Sequence, residues 1–299
     1  MKLETKRKAL NLVGNSFRYL ILVGLSFLII YPLVITVLIS FMQSSDIYDT
    51  AVRFIPKSPT FGNYKDMVIF LDYWSVTGKS LLLNILLCLL EMVSCLFVAY
   101  GFARFKFPFH NLLFGCVILT LLVPYSIYFA PLYFQLQNYG PFGWNLLSTP
   151  FPMFLLSATC VGLKDGLIIY IMTQSFKGYP KELEEAASVD GAGAFKVFTR
   201  IMLPGAAAVF FTCFMFAFVW KWTDPTYSEI FFPNTEFIWS KLATINQQFE
   251  IASELRNDYY YRAILKNAAV VAYMIPLMLL FMFTKRFLVE SIETTGLVG

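Results

Sequence analysis

Six apolar runs punctuate the chain, at about 19–42, 81–102, 112–134, 151–176, 202–220 and 268–287. A helix needs roughly 20 apolar residues to cross the hydrocarbon core of a bilayer. Each run therefore predicts one membrane-spanning helix, and the expected fold is an all-α membrane protein with six transmembrane helices. The fourth run is interrupted by Lys164-Asp165-Gly166. The first follows a basic start, but its apolar stretch is too long for a signal peptide. Ser40-Phe41-Met42 also lacks the small residues of a cleavage site, so this run reads as an uncleaved span.

Charge at the span ends sets the orientation, because Lys and Arg concentrate on the cytoplasmic side. Lys2, Lys6, Arg7, Lys8 and Arg18 precede or open the first run. Arg104 and Lys106 follow the second, Lys177, Lys181, Lys196 and Arg200 lie between the fourth and fifth, and Lys285 and Arg286 end the sixth. With six spans all of these fall on one face. The connections at 43–80 and 135–150 are balanced or uncharged, and 222–262 is net acidic. Both termini are expected in the cytoplasm, in a prokaryotic plasma membrane crossed several times.

Composition narrows the function classes. Of 299 residues 58% are hydrophobic and 14% charged, against about 25% charged in a soluble domain. A net charge of +4 with no basic cluster gives no footprint for nucleic acid. Cys88, Cys95, Cys116, Cys160 and Cys213 all sit in apolar runs without a CxxC pair. They behave as small hydrophobes rather than a metal site or disulfide scaffold. His110 has no partner motif for catalysis. The pattern GxxxxGK[ST] is lacking, so an enzymatic role, ATP hydrolysis included, is not expected of this chain.

The polar connection before the fifth run carries most of the remaining information. Pro180 pre-sets φ for a first helical turn. Glu182, Glu184 and Glu185 then place negative charge at the positive end of a helix dipole. Leu183, Ala186 and Ala187 share one face, and Gly191 stands where a helix needs a left-handed stop. A second helical stretch is expected from about Ala192 to Leu203-Pro204, with Pro204 opening the fifth span.

This segment reads Glu-Ala-Ala, three residues, Gly, nine residues, Ile-x-Leu-Pro, matched by Glu185, Ala186, Ala187, Gly191, Ile201, Leu203 and Pro204. It resembles the "EAA" loop of permease subunits of binding-protein-dependent ABC importers. The segment from Tyr100 to Pro108, Val123-Pro124 with Pro131-Leu132-Tyr133, and the stretch around Arg286-Phe287 resemble the sugar-importer branch typified by the smaller maltose-permease subunit. The ending Val298-Gly299 departs from the branch's usual Lys-Gly pair.

The resemblance implies the type I ABC importer permease fold, with a cytoplasmic coupling helix in the EAA loop. Residues 1–78 would hold the N-terminal tail, the first span and an extracytoplasmic loop. Residues 79–287 would form the importer transmembrane domain, and 288–299 a cytoplasmic tail. It further implies that Glu185, Ala186, Ala187, Asp190 and Gly191 contact an ATPase, while Ile201, Leu203 and Pro204 anchor the loop. The hetero-oligomer would contain a second permease subunit, two ATPase subunits carrying ATP and Mg, and an extracytoplasmic solute-binding protein. No cofactor is expected on this chain.

Candidates for the substrate path are the polar residues in or beside the spans: Asn84, Glu91, Tyr133, Gln135, Lys164 and Asp165. Charged groups there are costly and usually face the bundle interior. They would either line a path for a hydroxyl-rich carbohydrate or join the spans by hydrogen bonds and ion pairs. The rival function is an ion-coupled secondary transporter acting without an ATPase. That class normally shows an internal repeat of spans, which this sequence lacks, and it leaves the loop unexplained.

Overall fold

The structure is a computed structural model and describes residues 2–147, 149–162, 164–224, 230–231, 235–247 and 259–296. The ending Val298-Gly299 and much of the acidic connection at 222–262 lie outside the described residues. Two compact units emerge, one made of Met1–Tyr73 and Thr244–Met274, the other of Trp74–Ala243 and Ile275–Gly299.

The first unit contains α1 (Lys2–Ser40), α2 (Ser44–Tyr48) and α3 (Gly62–Leu71), with the first half of the last helix, α13 (Tyr259–Gly296). The stretch Gly14–Ser40 is apolar, and its most apolar 18 residues, with a mean hydropathy of 2.6, are not buried within the chain. A helix apolar on every side suits a lipid environment. Its end is fixed by Asn63, whose Nδ2 donates to the Ser40 and Met42 carbonyls, each at 2.8 Å. The Ser40 and Tyr64 hydroxyls meet at 2.6 Å. Tyr73 donates to the Ala272 carbonyl at 2.9 Å, and Tyr261 to the Asp66 carboxylate.

The second unit is built on α4 (Tyr73–Arg104), of which all but the first residue belongs here. It continues with α5 (His110–Leu122), α6 (Tyr125–Gln137), α7 (Phe151–Ala158), α8 (Asp165–Gly178) and α9 (Glu182–Val189). Then come α10 (Ala194–Gly205), α11 (Ala207–Thr223) and α12 (Ile238–Ala243). Among the described residues three helical stretches are long and apolar enough to cross a membrane: Gly14–Ser40, Tyr73–Arg104 and Tyr259–Glu290. The bent pair α10 and α11 makes a fourth if counted as one span.

The other two apolar runs are split, and local chemistry accounts for the breaks. A residue before proline is driven out of the helical region. Val123, at φ −81° and ψ 114°, thus ends α5, and Pro124 caps α6. In the fourth run Cys160 and Lys164 adopt left-handed backbone at φ 57° and 62°. The Asp165 carboxylate closes this break by accepting the Gly162 N–H at 2.7 Å.

The fifth run also departs from expectation. α10 opens as an α-turn and passes through a π-turn at Phe198–Met202, where the Leu203 N–H reaches back to the Phe198 carbonyl. Pro204 has no N–H for the Arg200 carbonyl four residues earlier, and a wider π-turn takes up such a mismatch. The helix closes at Gly205 rather than Pro204, and the chain bends by 76° into α11.

Helices in lipid gain little from apolarity itself, so close packing and interhelical hydrogen bonds hold them together. Gly166 lets α8 approach α5. A Cβ there would overlap the Thr120 hydroxyl and lie 3.0 Å from the Val117 carbonyl oxygen. We expect Gly166→Val to destabilise the chain by about 1–3 kcal/mol through overpacking. Gly101→Ala, with nothing within 4 Å of the new Cβ, should leave stability unchanged or slightly raised. Thermal unfolding of both variants in detergent checks the contrast.

Candidate functional site

Several polar residues of α4 find partners on neighbouring elements of the second unit. Ser80 Oγ accepts the Ile238 N–H of α12 at 2.9 Å, and Asn84 Nδ2 donates to the Phe218 carbonyl of α11 at 3.2 Å. Ser94 Oγ donates to the Ser157 carbonyl of α7 at 2.7 Å. The Ala99 carbonyl accepts from Thr173 of α8 at 3.4 Å. Between these lies Glu91, fully buried, whose Oε2 forms an ion pair with Lys221 Nζ of α11. The two residues are 130 positions apart in the chain.

Lys221 also lines a cavity of about 30 Å³, with Asn84, Ser157, Gly162 and Asp224 as its other polar wall. Leu83, Leu87, Met153, Leu156 and Trp239 supply the apolar side. Trp239 stands edge-on to the buried Trp222, which stacks on Phe218 with centroids 5.7 Å apart. Of the residues singled out in the sequence, Asn84 lines the cavity and Glu91 lies behind it through Lys221. Asp165 is 2% exposed and within hydrogen-bonding reach of Glu91. Lys164 turns its ammonium to the Trp220 ring, 4.4 Å from the centroid. Tyr133 is half-buried and Gln135 exposed, both outside the cavity lining.

Lys221 and Trp239 were not singled out by sequence reasoning. A signal for the lysine existed, since an acid in mid-span demands a basic partner. It lay just past the end of the fifth run, expected at about 220, whereas the helix continues to Thr223.

The loop at 179–205 forms the second part of the site. α9 ends in two reverse hydrogen bonds, from the Gly191 N–H to the Ser188 carbonyl at 3.0 Å and from the Ala192 N–H to the Ala187 carbonyl at 2.9 Å. Gly191 has φ +79°, and this pairing is the Schellman stop that the left-handed glycine permits. Glu185, Ala186 and Asp190 are exposed on the surface and Ala187 is half-buried. Leu183, Val189 and Phe195 add exposed apolar surface, Val189 at 87%.

The loop is tied firmly to the helices beneath it. Arg104, the last residue of α4, pairs with Glu184 of α9 and donates from Nη2 to the Tyr179 carbonyl at 2.9 Å. The buried Phe198 of the π-turn sits among Phe97 and Tyr100 of α4, at centroid distances of 5.3 and 4.8 Å. Tyr179 donates its hydroxyl to the Gly205 carbonyl. Burial, with Glu290 second, raises the phenol's pKa, so the donor proton is retained. Ile201 and Leu203 are half-buried and Pro204 exposed; the deepest anchors of α10 are Val197, Phe198 and Met202.

A family model described as the binding-protein-dependent transport system inner membrane component matches residues 95–293. The chain belongs to that family. Two relatives align along nearly the whole of this inner-membrane component. It is 24% identical over 284 residues to the arabinooligosaccharides transport system permease protein AraQ of Halalkalibacterium halodurans, covering 92% of this chain and 93% of the relative. It is 26% identical over 271 residues to the diacetylchitobiose uptake system permease protein NgcG of Streptomyces coelicolor, covering 90% and 84%. A solved bacterial ABC transporter involved in import of the acidic polysaccharide alginate shares the fold. One of its chains superposes with a TM-score of 0.76 at 15% identity, covering 92% of this chain and 96% of that one.

Removing one partner of a buried ion pair leaves an uncompensated charge and costs about 3–5 kcal/mol. Glu91→Gln and Lys221→Met should each lower the unfolding midpoint strongly. The double variant, which removes both charges, should recover most of the loss. A double-mutant cycle on detergent-purified protein reads this directly.

Proposed function

We propose that this chain is a permease subunit of an ATP-driven ABC importer and forms part of the translocation path for a carbohydrate of the oligosaccharide class. The observation that carries the reading is the loop. A complete Glu-Ala-Ala to Ile-x-Leu-Pro pattern is folded as helix, left-handed glycine turn and helix, with an apolar surface exposed and its base pinned to α4. The names of the family and of its oligosaccharide-importing relatives support the same class of function.

In this reading the chain crosses the membrane six times, the split runs at 110–137 and 151–178 counting as one span each. The amino terminus, the loop and the carboxyl terminus face the cytoplasm. α9 is the coupling helix: it docks on one of two ATPase subunits, which hold ATP and Mg. A second permease subunit completes the path, and an extracytoplasmic binding protein delivers the solute.

The geometry supports a route for the motion. ATPase closure displaces α9, and the Arg104–Glu184 pair with the Phe198 cluster passes the displacement to the cytoplasmic end of α4. From Arg104 to Asn84 is 20 residues of helix, roughly 30 Å at 1.5 Å per residue, which carries it to the cavity. That cavity, at about 30 Å³, has room for water rather than a sugar, since small-molecule sites occupy about 300–1,000 Å³. Passage of solute therefore requires α4 and α11 to part, which is the alternating-access step. Asn84, Ser157, Lys221 and Asp224 offer donors and acceptors to hydroxyl groups, and Trp239 an aromatic wall.

Affinity purification of the chain in mild detergent should recover an ATPase and a second permease. Gly191→Val forces a β-branched residue into left-handed backbone, a conformation costing about 1–2 kcal/mol or more, and should abolish oligosaccharide uptake while membrane insertion persists. Gly191→Asn, whose side chain tolerates that backbone, should keep a substantial part of uptake. Full uptake by Gly191→Val, or a chain recovered alone and active on an ion gradient, would overturn the assignment.

A further inference from the structure

The buried charges around Glu91 do not balance as drawn. Glu91 and Asp165 are two carboxylates, 0% and 2% exposed, and among the described residues the ammonium beside them is that of Lys221. Glu91 uses Oε2 for Lys221, and Asp165 uses Oδ2 for the Gly162 N–H. Their remaining oxygens, Glu91 Oε1 and Asp165 Oδ1, are buried and have no hydrogen-bond donor. Two anions and one cation leave a net charge of −1 inside an apolar region, where an uncompensated charge is very costly.

We propose that this cluster is a proton-binding site, with one proton carried on Asp165 Oδ1 and donated to Glu91 Oε1. That single proton satisfies both orphaned oxygens and brings the cluster to neutrality. The assignment to Asp165 follows from the partners: Glu91 is paired with the Lys221 ammonium, while Asp165 faces a carboxylate. Among the described residues the other ionisable groups that interact electrostatically with the cluster are thiols, Cys88 and Cys95 on α4, Cys160 in the break before α8, and Cys213 on α11. A hard metal ion such as calcium takes six to eight oxygen ligands, which thiols and an ammonium do not supply. The proton clamps α4, α11 and the start of α8 together, and its loss sets two carboxylates in repulsion beside the cavity. The inference requires only that these helices lie in the membrane, so its failure would leave the importer reading untouched.

Infrared spectroscopy of the full chain reconstituted in lipid reads protonated carboxyls directly. The expected result at neutral pH is a carboxylic-acid carbonyl band that shifts on deuterium exchange and is lost in Asp165→Asn. Asp165→Asn should unfold at nearly the wild-type temperature, because its amide donates the same hydrogen bond, whereas Asp165→Ala should unfold earlier. Absence of the band in the wild-type protein overturns the proposal, whether the charge is then balanced by a metal ion or by structural change. So does a band that survives Asp165→Asn. If Asp165→Asn fails to accumulate, the double variant Glu91→Gln with Lys221→Met replaces it: loss of the carboxylate acceptor must shift the band, and an unmoved band sinks the assignment.

Discussion

A carboxylate in the middle of an apolar helix must find its counter-charge within the protein, and Glu91 does so through Lys221. This requirement organises the second unit. It fixes the rotation of α4, because Glu91 and Asn84 must face α11 and leave the opposite side apolar. It draws the interrupted start of α8 into the same cluster through Asp165. The cavity then forms where the polar row of α4 meets Lys221, with Trp239 in its wall and the stacked Phe218 and Trp222 beside it. Replacing the pair by apolar side chains would cost less than breaking it, so its retention points to specificity of packing and to the wall it presents.

The same helix ends at the loop. Arg104 is held by Glu184 and the Tyr179 carbonyl, and the aromatic rings of Phe97 and Tyr100 grip Phe198 in the π-turn. The ion pair in its middle and the attachment at its end make α4 the element that joins the loop to the cavity. The two interruptions and the bend at Ala206 leave neighbouring segments shorter and separately adjustable, whereas α4 runs unbroken for 32 residues.

Much of this was legible in the sequence where the signal is local. The left-handed stop at Gly191, the acidic first turn of α9 and the position of the loop follow from residue chemistry within a few positions. So does the helical character of the apolar runs. Val123-Pro124 carried a break that hydropathy alone passed over, since the run stays apolar through it. The partners of Glu91 and Arg104 were not legible. In a soluble helix one apolar stripe marks the buried face, but lipid-facing and protein-facing sides here are both apolar, so periodicity does not say which side meets α11. The packing of Phe198 against Phe97 and Tyr100 is likewise a tertiary contact that no short window contains.

In the proposed function the loop and α4 move as one body through the Arg104–Glu184 pair. The most direct test is a double-mutant cycle across that pair, using Arg104→Ala and Glu184→Ala and reading solute uptake per ATP hydrolysed in the assembled, reconstituted importer. Either single change is expected to lower this ratio several-fold, and the second to add little once the first is made. Two losses that multiply independently, or a ratio untouched by either change, would contradict it.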